Sequence, residues 1–323
     1  MTETILSADW AGREAESLLW LASYPRSGNT FTRILLANYF AAEEEAYDIN
    51  KLVDFIPADT NPSLWEGAGG GLSPRENLEA AWKARPSMIA QYRKLKGRQP
   101  LPGLKTHTVN MAAFGASGFD FRNGDRALYI VRHPLDVLIS LADYNAKNIE
   151  AAIEMMTSDG YLLRADRAGE LEVWGSWAEH VKSWTTNPPC PLLLVRYEEL
   201  CTKTEEALRS ILLFLKAPII EERLKRAVAA SRFDRLREQE SANSFIELPA
   251  YTSSGRFFRE GKSLQWLRKL APEQAYRLAD ACEPMMTKLG YTHPRQVLSD
   301  GRNALGPVAL PGQNLNPDST SSL

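Results

Sequence analysis

Residues 18–40, LLWLASYPRSGNTFTRILLANYF, decide the fold of this chain. The apolar run at residues 18–22 has the length of a strand that is buried on both faces of a parallel sheet. Pro25 and Gly28 then favour a tight turn, because proline cannot donate to a ladder and glycine accepts a positive φ. From Thr30 onwards, apolar residues recur at helical spacing. The stretch therefore predicts a strand, a polar turn and a helix in direct succession.

The predicted turn is a candidate anion-binding site. Free N–H groups and the positive end of the helix dipole face it. Arg26 adds a permanent cation, and the hydroxyls of Ser27 and Thr30 add donors that suit phosphate oxygens. An ordinary turn with a surface arginine explains the same residues, so both interpretations stay open at this point. The turn is not a Walker A loop, because it lacks the first glycine and the lysine of G-x-x-x-x-G-K-[ST].

A basic pair stands at the end of a second predicted strand. Residues 101–107 read as a short strand that ends in Lys105 and His107. A histidine in such a place is commonly a hydrogen-bonded structural residue, and that is one interpretation of His107. The other is a general base, because imidazole titrates near neutrality and can accept the proton of an attacking alcohol.

Further polar residues follow residues 127–131, ALYIV, which predict a central strand. Arg132 stands directly after this strand, and Pro134 suits the first turn of a helix. Ser140 lies about two turns further along the same side of that helix. Since the carboxyl ends of parallel strands are where such folds bind ligands, Arg132 and Ser140 are candidate binding residues.

Two of these segments resemble motifs of the PAPS-dependent sulfotransferase family, of the cytosolic type. Residues 24–31, YPRSGNTF, resemble its 5′-phosphosulfate loop, YPKSGTTW, and residues 127–144 resemble its 3′-phosphate motif, YxxRNPxDVxxSxxxF. The family uses 3′-phosphoadenosine 5′-phosphosulfate (PAPS) as donor and releases 3′-phosphoadenosine 5′-phosphate (PAP). The resemblance implies a single α/β domain with a central parallel β-sheet flanked by helices, a P-loop NTPase-like fold. Arg26 replaces the usual lysine, and Phe31 replaces the tryptophan that packs on adenine.

The resemblance also implies roles for the residues at the matching positions. His107 would be the general base, and Lys105 and Arg26 would neutralise charge on the transferring group. The residues that would bind the nucleotide are Arg26, Ser27, Gly28, Asn29, Thr30, Phe31, Arg132, Ser140, Tyr197, Phe233, Arg259, Glu260 and Gly261. In this set Glu260 stands where a lysine is usual. No metal is implied.

Composition and charge set wider limits on the protein. The chain has 323 residues, 44% hydrophobic and 24% charged, which predicts one globular domain at residues 16–295, between an N-terminal extension at residues 1–15 and a disordered tail at residues 296–323. A formal net charge of −2 argues against a nucleic-acid partner. Without a run of about 18 apolar residues or a leader-like N-terminus, a cytoplasmic protein that does not enter the membrane is expected. The three cysteines lack metal-like spacing and are too few for a disulfide framework.

The remaining segments are predicted more coarsely. Residues 145–172 are expected to be irregular and, with residues 41–100, to line the acceptor pocket. Residues 175–184 predict a core helix, because tryptophans recur at helical spacing, and His180 is then part of the scaffold. Residues 272–289 predict a final helix. We expect a small-molecule acceptor and a monomer or homodimer.

The expected activity is in-line transfer of a sulfuryl group from PAPS to a hydroxyl or amine of that acceptor. Two alternatives stay open. A P-loop nucleotide kinase or other phosphotransferase would depend on magnesium, although the sequence lacks the Walker lysine and an evident acidic strand end. A catalytically degenerate PAPS-binding protein would bind the nucleotide without transferring the group.

Overall fold

The computed structural model describes most of the chain, namely residues 16–41, 45–65, 78–96, 101–158, 163–164, 172–249, 252–259 and 261–308. Residues 1–15, the predicted N-terminal extension, and residues 309–323, most of the predicted tail, lie outside the described residues. None of the described helices combines the length and the apolar composition that crossing a membrane requires.

A parallel sheet forms the centre of the domain. The strands of the described chain are β1 Leu19–Ser23, β2 Gly103–Thr106, β3 Ala112–Ala113, β4 Ala116–Ser117, β5 Arg126–Val131, β6 Leu163–Arg164, β7 Glu172–Val173 and β8 Leu192–Arg196. Four of them pair in the order β2-β1-β5-β8, all parallel, with Leu19 opposite both Gly103 and Arg126. The other four form two short antiparallel pairs. The predicted central parallel sheet is confirmed, and the carboxyl ends of its strands lie along one edge.

Helices cover both faces of this sheet. They are α1 Asn29–Phe40, α2 Leu52–Phe55 after a 3-10 turn at Ile49–Lys51, α3 Pro62–Trp65, α4 Leu78–Lys96, α5 Pro134–Tyr144, α6 Ile149–Thr157, α7 Trp177–Thr185, α8 Tyr197–Thr202, α9 Thr204–Leu215, α10 Glu221–Ala230, α11 Phe233–Asn243, α12 Trp266–Lys269, α13 Pro272–Cys282, α14 Met285–Lys288 and α15 Pro294–Asp300. In β1, Trp20 and Ala22 belong to the hydrophobic cluster on one face, and Leu19 and Leu21 to the cluster on the other. The predicted α/β domain is thus confirmed.

The structure differs from the prediction in two segments. The region at residues 145–172, predicted to be irregular, contains α6, which Asn148 caps with its side-chain oxygen. The predicted final helix at residues 272–289 is divided. It ends at Cys282, and Pro284 has no N–H with which to continue it before α14 begins.

The C-terminal boundary also differs from the prediction. The domain was expected to end at residue 295, but this residue lies inside α15. Beyond that helix, Tyr291 and Leu305 form an antiparallel bridge. Residues 296–308 therefore continue the folded domain and are not a disordered tail.

Two of the four histidines are fully buried. His133 caps α5 by accepting from the N–H of Leu135 through Nδ1 at 3.3 Å, and its Nε2 has no hydrogen-bond partner among the described residues. His180 accepts from the hydroxyl of Tyr129 through Nδ1 at 2.8 Å, and its Nε2 donates to the carbonyl of His107 at 3.0 Å. Burial is the main cause that lowers the pKa of His133 and of His180 from 6.5 to about 3.

We expect the free energy of unfolding to decrease as the pH falls below 6.5. Between pH 6.5 and pH 3 the unfolded chain binds protons on these two rings and the folded chain does not. The contribution of the two rings to stability is therefore complete above pH 6.5 and is lost as the pH falls towards 3. At pH 5 the loss is about 2 kcal/mol per ring. Urea unfolding at pH 7.5 and pH 5 measures it. In His133→Asn, whose amide oxygen can still cap α5, the loss should be smaller by about 2 kcal/mol. An equal loss in both proteins would contradict the assignment to His133.

Candidate active site

A large cavity lies at the carboxyl edge of the parallel sheet, with a volume of about 450 Å³. Its wall includes most of the residues predicted to bind the nucleotide or to act in catalysis: Arg26, Gly28, Asn29, Thr30, Phe31, Lys105, His107, Arg132, Ser140, Tyr197, Phe233, Arg259 and Gly261. Lys105, Arg132 and Tyr197 lie at or directly after the ends of β2, β5 and β8. The structure therefore brings segments that are far apart in sequence to one site.

Two predicted residues are not placed on this wall. The side chain of Ser27 is buried, and its hydroxyl has no hydrogen-bond partner in the described part of the chain. The hydroxyl of Ser27 therefore does not line the cavity. Glu260 lies outside the described residues.

The turn between β1 and α1 forms one part of the cavity wall. Gly28 has a φ of 106°, and a Cβ at this position would come within 2.5 Å of the ring of Tyr197. Asn29 donates its side-chain N–H to the carbonyl of Leu21 at 2.9 Å, which ties the start of α1 to β1. The backbone N–H of Thr32 donates to the carbonyl of Gly28 at 3.0 Å. The N–H groups that precede it in α1 have no acceptor within the helix. This end of α1 is suited to an anion.

The guanidinium of Arg26 lies beside Ser140. Its Nε donates to the Ser140 hydroxyl at 3.1 Å. Its central carbon lies 4.4 Å from the ring centroid of Tyr144 and 4.5 Å from that of Phe257, so the cation is held between two aromatic rings. Burial, with a smaller contribution from Arg259, lowers the pKa of Arg26 to about 10. Arg26 is therefore still charged at neutral pH.

Two further arginines lie on the same side of the cavity. Arg132 stacks over the ring of Tyr197 at 4.3 Å, and its Nη1 donates to the carbonyl of Arg26 at 3.2 Å. The Nε of Arg132 is buried and has no hydrogen-bond partner in the described ranges. Arg259 pairs with Asp143 at 3.5 Å. The part of the cavity near Ser140 is thus rich in cations.

His107 directly follows β2 and lines the other side of the cavity. Its Nδ1 donates to the carbonyl of Ser23 at 2.8 Å, which leaves Nε2 as the nitrogen that can accept a proton. Burial, and then the charge of Lys105, lower the pKa of His107 to about 3. The ring is therefore neutral at physiological pH. With this pKa the ring is a weak base, and the negative charge of a bound anion would raise the pKa towards the range in which imidazole removes a proton from a hydroxyl group.

Phe31 and Phe233 pack against each other at one end of the cavity. Their ring centroids are 5.1 Å apart, and the ring planes differ by 23°. This stacking leaves no room for a base between the two rings. An adenine that lay between the two rings would require them to separate. Gly261, with a φ of 61°, lies so close that a Cβ would come within 2.4 Å of Phe233.

Some wall residues were not singled out from the sequence, namely Tyr144, Glu172, Trp174, Glu247 and Phe257. Tyr144 could have been found, because it lies one turn after Ser140 on the same side of α5. Glu247 and Phe257 lie in the segment that follows α11, and no spacing or motif relates them to the rest of the site.

Comparisons with known proteins agree with this geometry. The family model of the sulfotransferase domain matches residues 16–290. The chain is 27% identical over 195 residues to sulfotransferase 2B1 of Mus musculus, covering 58% of this chain and 55% of that protein. It is 26% identical over 197 residues to a 3-beta-hydroxysteroid sulfotransferase of Cavia porcellus, covering 60% of this chain and 67% of that protein.

A solved structure shares the fold. It is retinol dehydratase in complex with androsterone and inactive cofactor PAP, which matches with a TM-score of 0.53 and 17% identity over 89% of this chain and 85% of that one. The chain spans about half the length of the first curated relatives that it matches. Because the family model covers most of the chain, the resemblance found in the motifs is confirmed, and the protein belongs to the sulfotransferase domain family.

Proposed function

We propose that this chain transfers a sulfuryl group from PAPS to a hydroxyl or amine of a small-molecule acceptor. The observation that carries the proposal is the distribution of charge around the cavity. The anion-binding turn follows β1, Lys105 and His107 lie at the end of β2 on one side of it, and Arg132 follows β5 on the other side. PAPS has phosphates at both its 5′ and its 3′ positions, and two separate groups of cations are suited to bind them.

The residues of the cavity fit an anionic nucleotide. The N–H groups at the start of α1 lack acceptors within the helix, and they would hold the 5′-phosphate. Arg132, whose buried Nε lacks a partner among the described residues, would hold the 3′-phosphate together with Ser140 and Arg259. Tyr197 and Phe233 offer aromatic surface to the adenine.

The side chains can also be given roles in the transfer. His107 would accept, through Nε2, the proton of the acceptor hydroxyl or amine as that group attacks sulfur. Lys105 and Arg26 would neutralise the negative charge that the 5′-phosphate gains when its bond to sulfur breaks. The start of α1 would hold the leaving phosphate in line with the attacking atom. PAPS supplies the activated sulfuryl group, and PAP is the second product.

An alcohol with a substantial apolar part is the acceptor class that the wall supports best. Val53, Ala58 and Trp174 give it apolar surface. Ala58 forms a bridge with Lys105, which places this surface beside the basic pair of β2. One of the curated relatives is named for 3-beta-hydroxysteroids, and these are alcohols of this type.

A ligand-binding measurement separates this proposal from the kinase alternative. In a thermal-shift titration, PAP should raise the midpoint of unfolding, whereas ATP with magnesium should raise it much less, because only PAP has the 3′-phosphate that Arg132 and Ser140 would bind. At 100 times its dissociation constant, a ligand adds about 2.7 kcal/mol to stability, which is a shift of about 4 °C for a chain of this size.

If ATP with magnesium stabilised the protein more than PAP does, the nucleotide-kinase interpretation would replace this proposal. A protein that binds PAP but gives no transfer to phenols or hydroxysteroids under any condition would point to the degenerate PAPS-binding alternative. Arg132→Met is a suitable control, since it should remove the response to PAP while keeping the side chain's bulk.

A further inference from the structure

A carboxylate lies inside the cavity that is proposed to hold a highly anionic donor. Glu247 lines this cavity, and its side chain is 18% exposed. The position is unexpected, because a negative charge there opposes the binding of phosphate and sulfuryl groups. Its contacts show what holds it in place.

A buried arginine fixes one oxygen of this carboxylate. Nη1 of Arg33, on α1, donates to Oε1 of Glu247 at 2.6 Å. The side chain of Arg33 is fully buried, and its Nε and Nη2 have no partners among the described residues. Burial alone would raise the pKa of Glu247, but the charges of Arg33 and Lys105 outweigh it and lower the pKa to about 2. The carboxylate is therefore ionised at neutral pH.

The other oxygen of the carboxylate contacts two groups of the proposed donor site. Oε2 of Glu247 accepts from the hydroxyl of Thr30 at 3.4 Å and lies 3.8 Å from Nζ of Lys105. Thr30 is in the first turn of α1, where the 5′-phosphate would bind, and Lys105 would face the sulfuryl group. The carboxylate thus engages a donor and a cation that the nucleotide would use.

We propose that Glu247 competes with the anionic groups of the nucleotide for Thr30 and Lys105, and so limits how tightly the site holds PAP. The inference rests on the proposed function. A unit charge a few ångströms from a bound anion changes affinity by about tenfold or more, even at the high effective dielectric of a protein surface. The cavity also contains Arg26, Arg132 and Arg259, which would otherwise favour slow release of the product. Product release limits the turnover of many enzymes, so a built-in competitor for the product's phosphate speeds the cycle.

Glu247→Gln tests this directly. The amide keeps the size of the side chain and an oxygen that can accept from Arg33, while an uncharged NH2 group replaces the oxygen beside Thr30 and Lys105. We expect PAP to bind about tenfold more tightly, by isothermal titration, and to dissociate more slowly, by displacement in a stopped-flow instrument. A merely structural role would give the opposite sign, because a loosened cavity binds its ligand more weakly.

Two further variants control for the fold and for long-range charge. Glu247→Asp keeps the charge that Arg33 needs, but its shorter side chain withdraws from Thr30 and Lys105, so a smaller tightening in the same direction is expected. Glu172→Gln removes a carboxylate that lines the same cavity and accepts from Nε1 of Trp174 at 2.9 Å, without an ion pair in the described structure. It should leave PAP affinity within about twofold of the wild type.

The outcomes are distinct. If the wild type binds PAP and Glu247→Gln binds it equally or more weakly, this inference is overturned. The proposed function is then unaffected. Equal tightening in Glu172→Gln also overturns it, because the effect would then be one of total charge and not of local competition. If the wild-type protein does not bind PAP at all, the proposed function fails and this inference fails with it.

Discussion

Replacing His107 by asparagine should lower the rate of sulfuryl transfer by a factor of about 10² to 10⁴, which is the usual contribution of a general base. The asparagine amide can still donate to the carbonyl of Ser23, as Nδ1 of His107 does at 2.8 Å, so the end of β2 should keep its place. What the variant loses is Nε2, the nitrogen that would accept the acceptor's proton. The rate is measured as PAP formed with a simple phenol or a hydroxysteroid as acceptor.

The binding of PAP distinguishes a lost base from a damaged site. His107 is not among the groups that would hold the two phosphates, so the His107→Asn variant should bind PAP within a few-fold of the wild type. A variant with normal turnover would remove His107 from the mechanism. Loss of both PAP binding and turnover would instead make His107 a structural residue, which is the other interpretation that its position in the sequence allows.

Replacing Arg26 by alanine should lower turnover by a factor of about 10² to 10³, because the charge that develops on the leaving phosphate would lose one of its two nearby cations. Arg26→Lys should keep most of the activity, since lysine is the usual residue in the family motif and retains the charge. It should not be fully equivalent, however. Lysine cannot keep both the bond to Ser140 and the planar contact with Tyr144 and Phe257.

Arg26→Met is the matched control, because it keeps length and apolar contact without charge. We expect it to behave as the alanine variant does, with an unfolding midpoint close to that of the wild type. If methionine supported turnover as lysine does, the role of Arg26 would be to pack between the two rings and not to neutralise charge. Steady-state rates at saturating PAPS, compared across the three variants, decide between these roles.

Much of the framework could be predicted because its signals are local. The run before the turn predicted a strand at residues 18–22, and the structure has β1 at Leu19–Ser23. The helix after residues 127–131 was placed by Pro134, and Ser140 lies on it as its spacing indicated. Strand length, turn residues and helical period depend on neighbours in sequence, so the fold class and the location of the site at the strand ends followed from them.

The predictions that missed depended on weaker local signals. The region at residues 145–172 was expected to be irregular because of its polar composition, yet α6 forms there and packs its apolar positions, among them Ile153 and Met156, into the core. The domain was ended too early, at residue 295, because the Pro, Gly and Ser content of the last residues resembles that of a tail. Tertiary contacts supplied the stabilisation that composition did not indicate.

The sequence by itself indicated the strands of the central sheet, the candidate anion-binding turn and the eight-residue spacing of Arg132 and Ser140, since each depends on the pattern within one segment. Only the tertiary structure decided which charges meet. Arg33 and Glu247 are 214 residues apart and form an ion pair at 2.6 Å. Likewise, Phe257 reaches Arg26 from a distant loop. The physical reason is that a buried charge requires a partner, and which partner it finds depends on how remote segments pack.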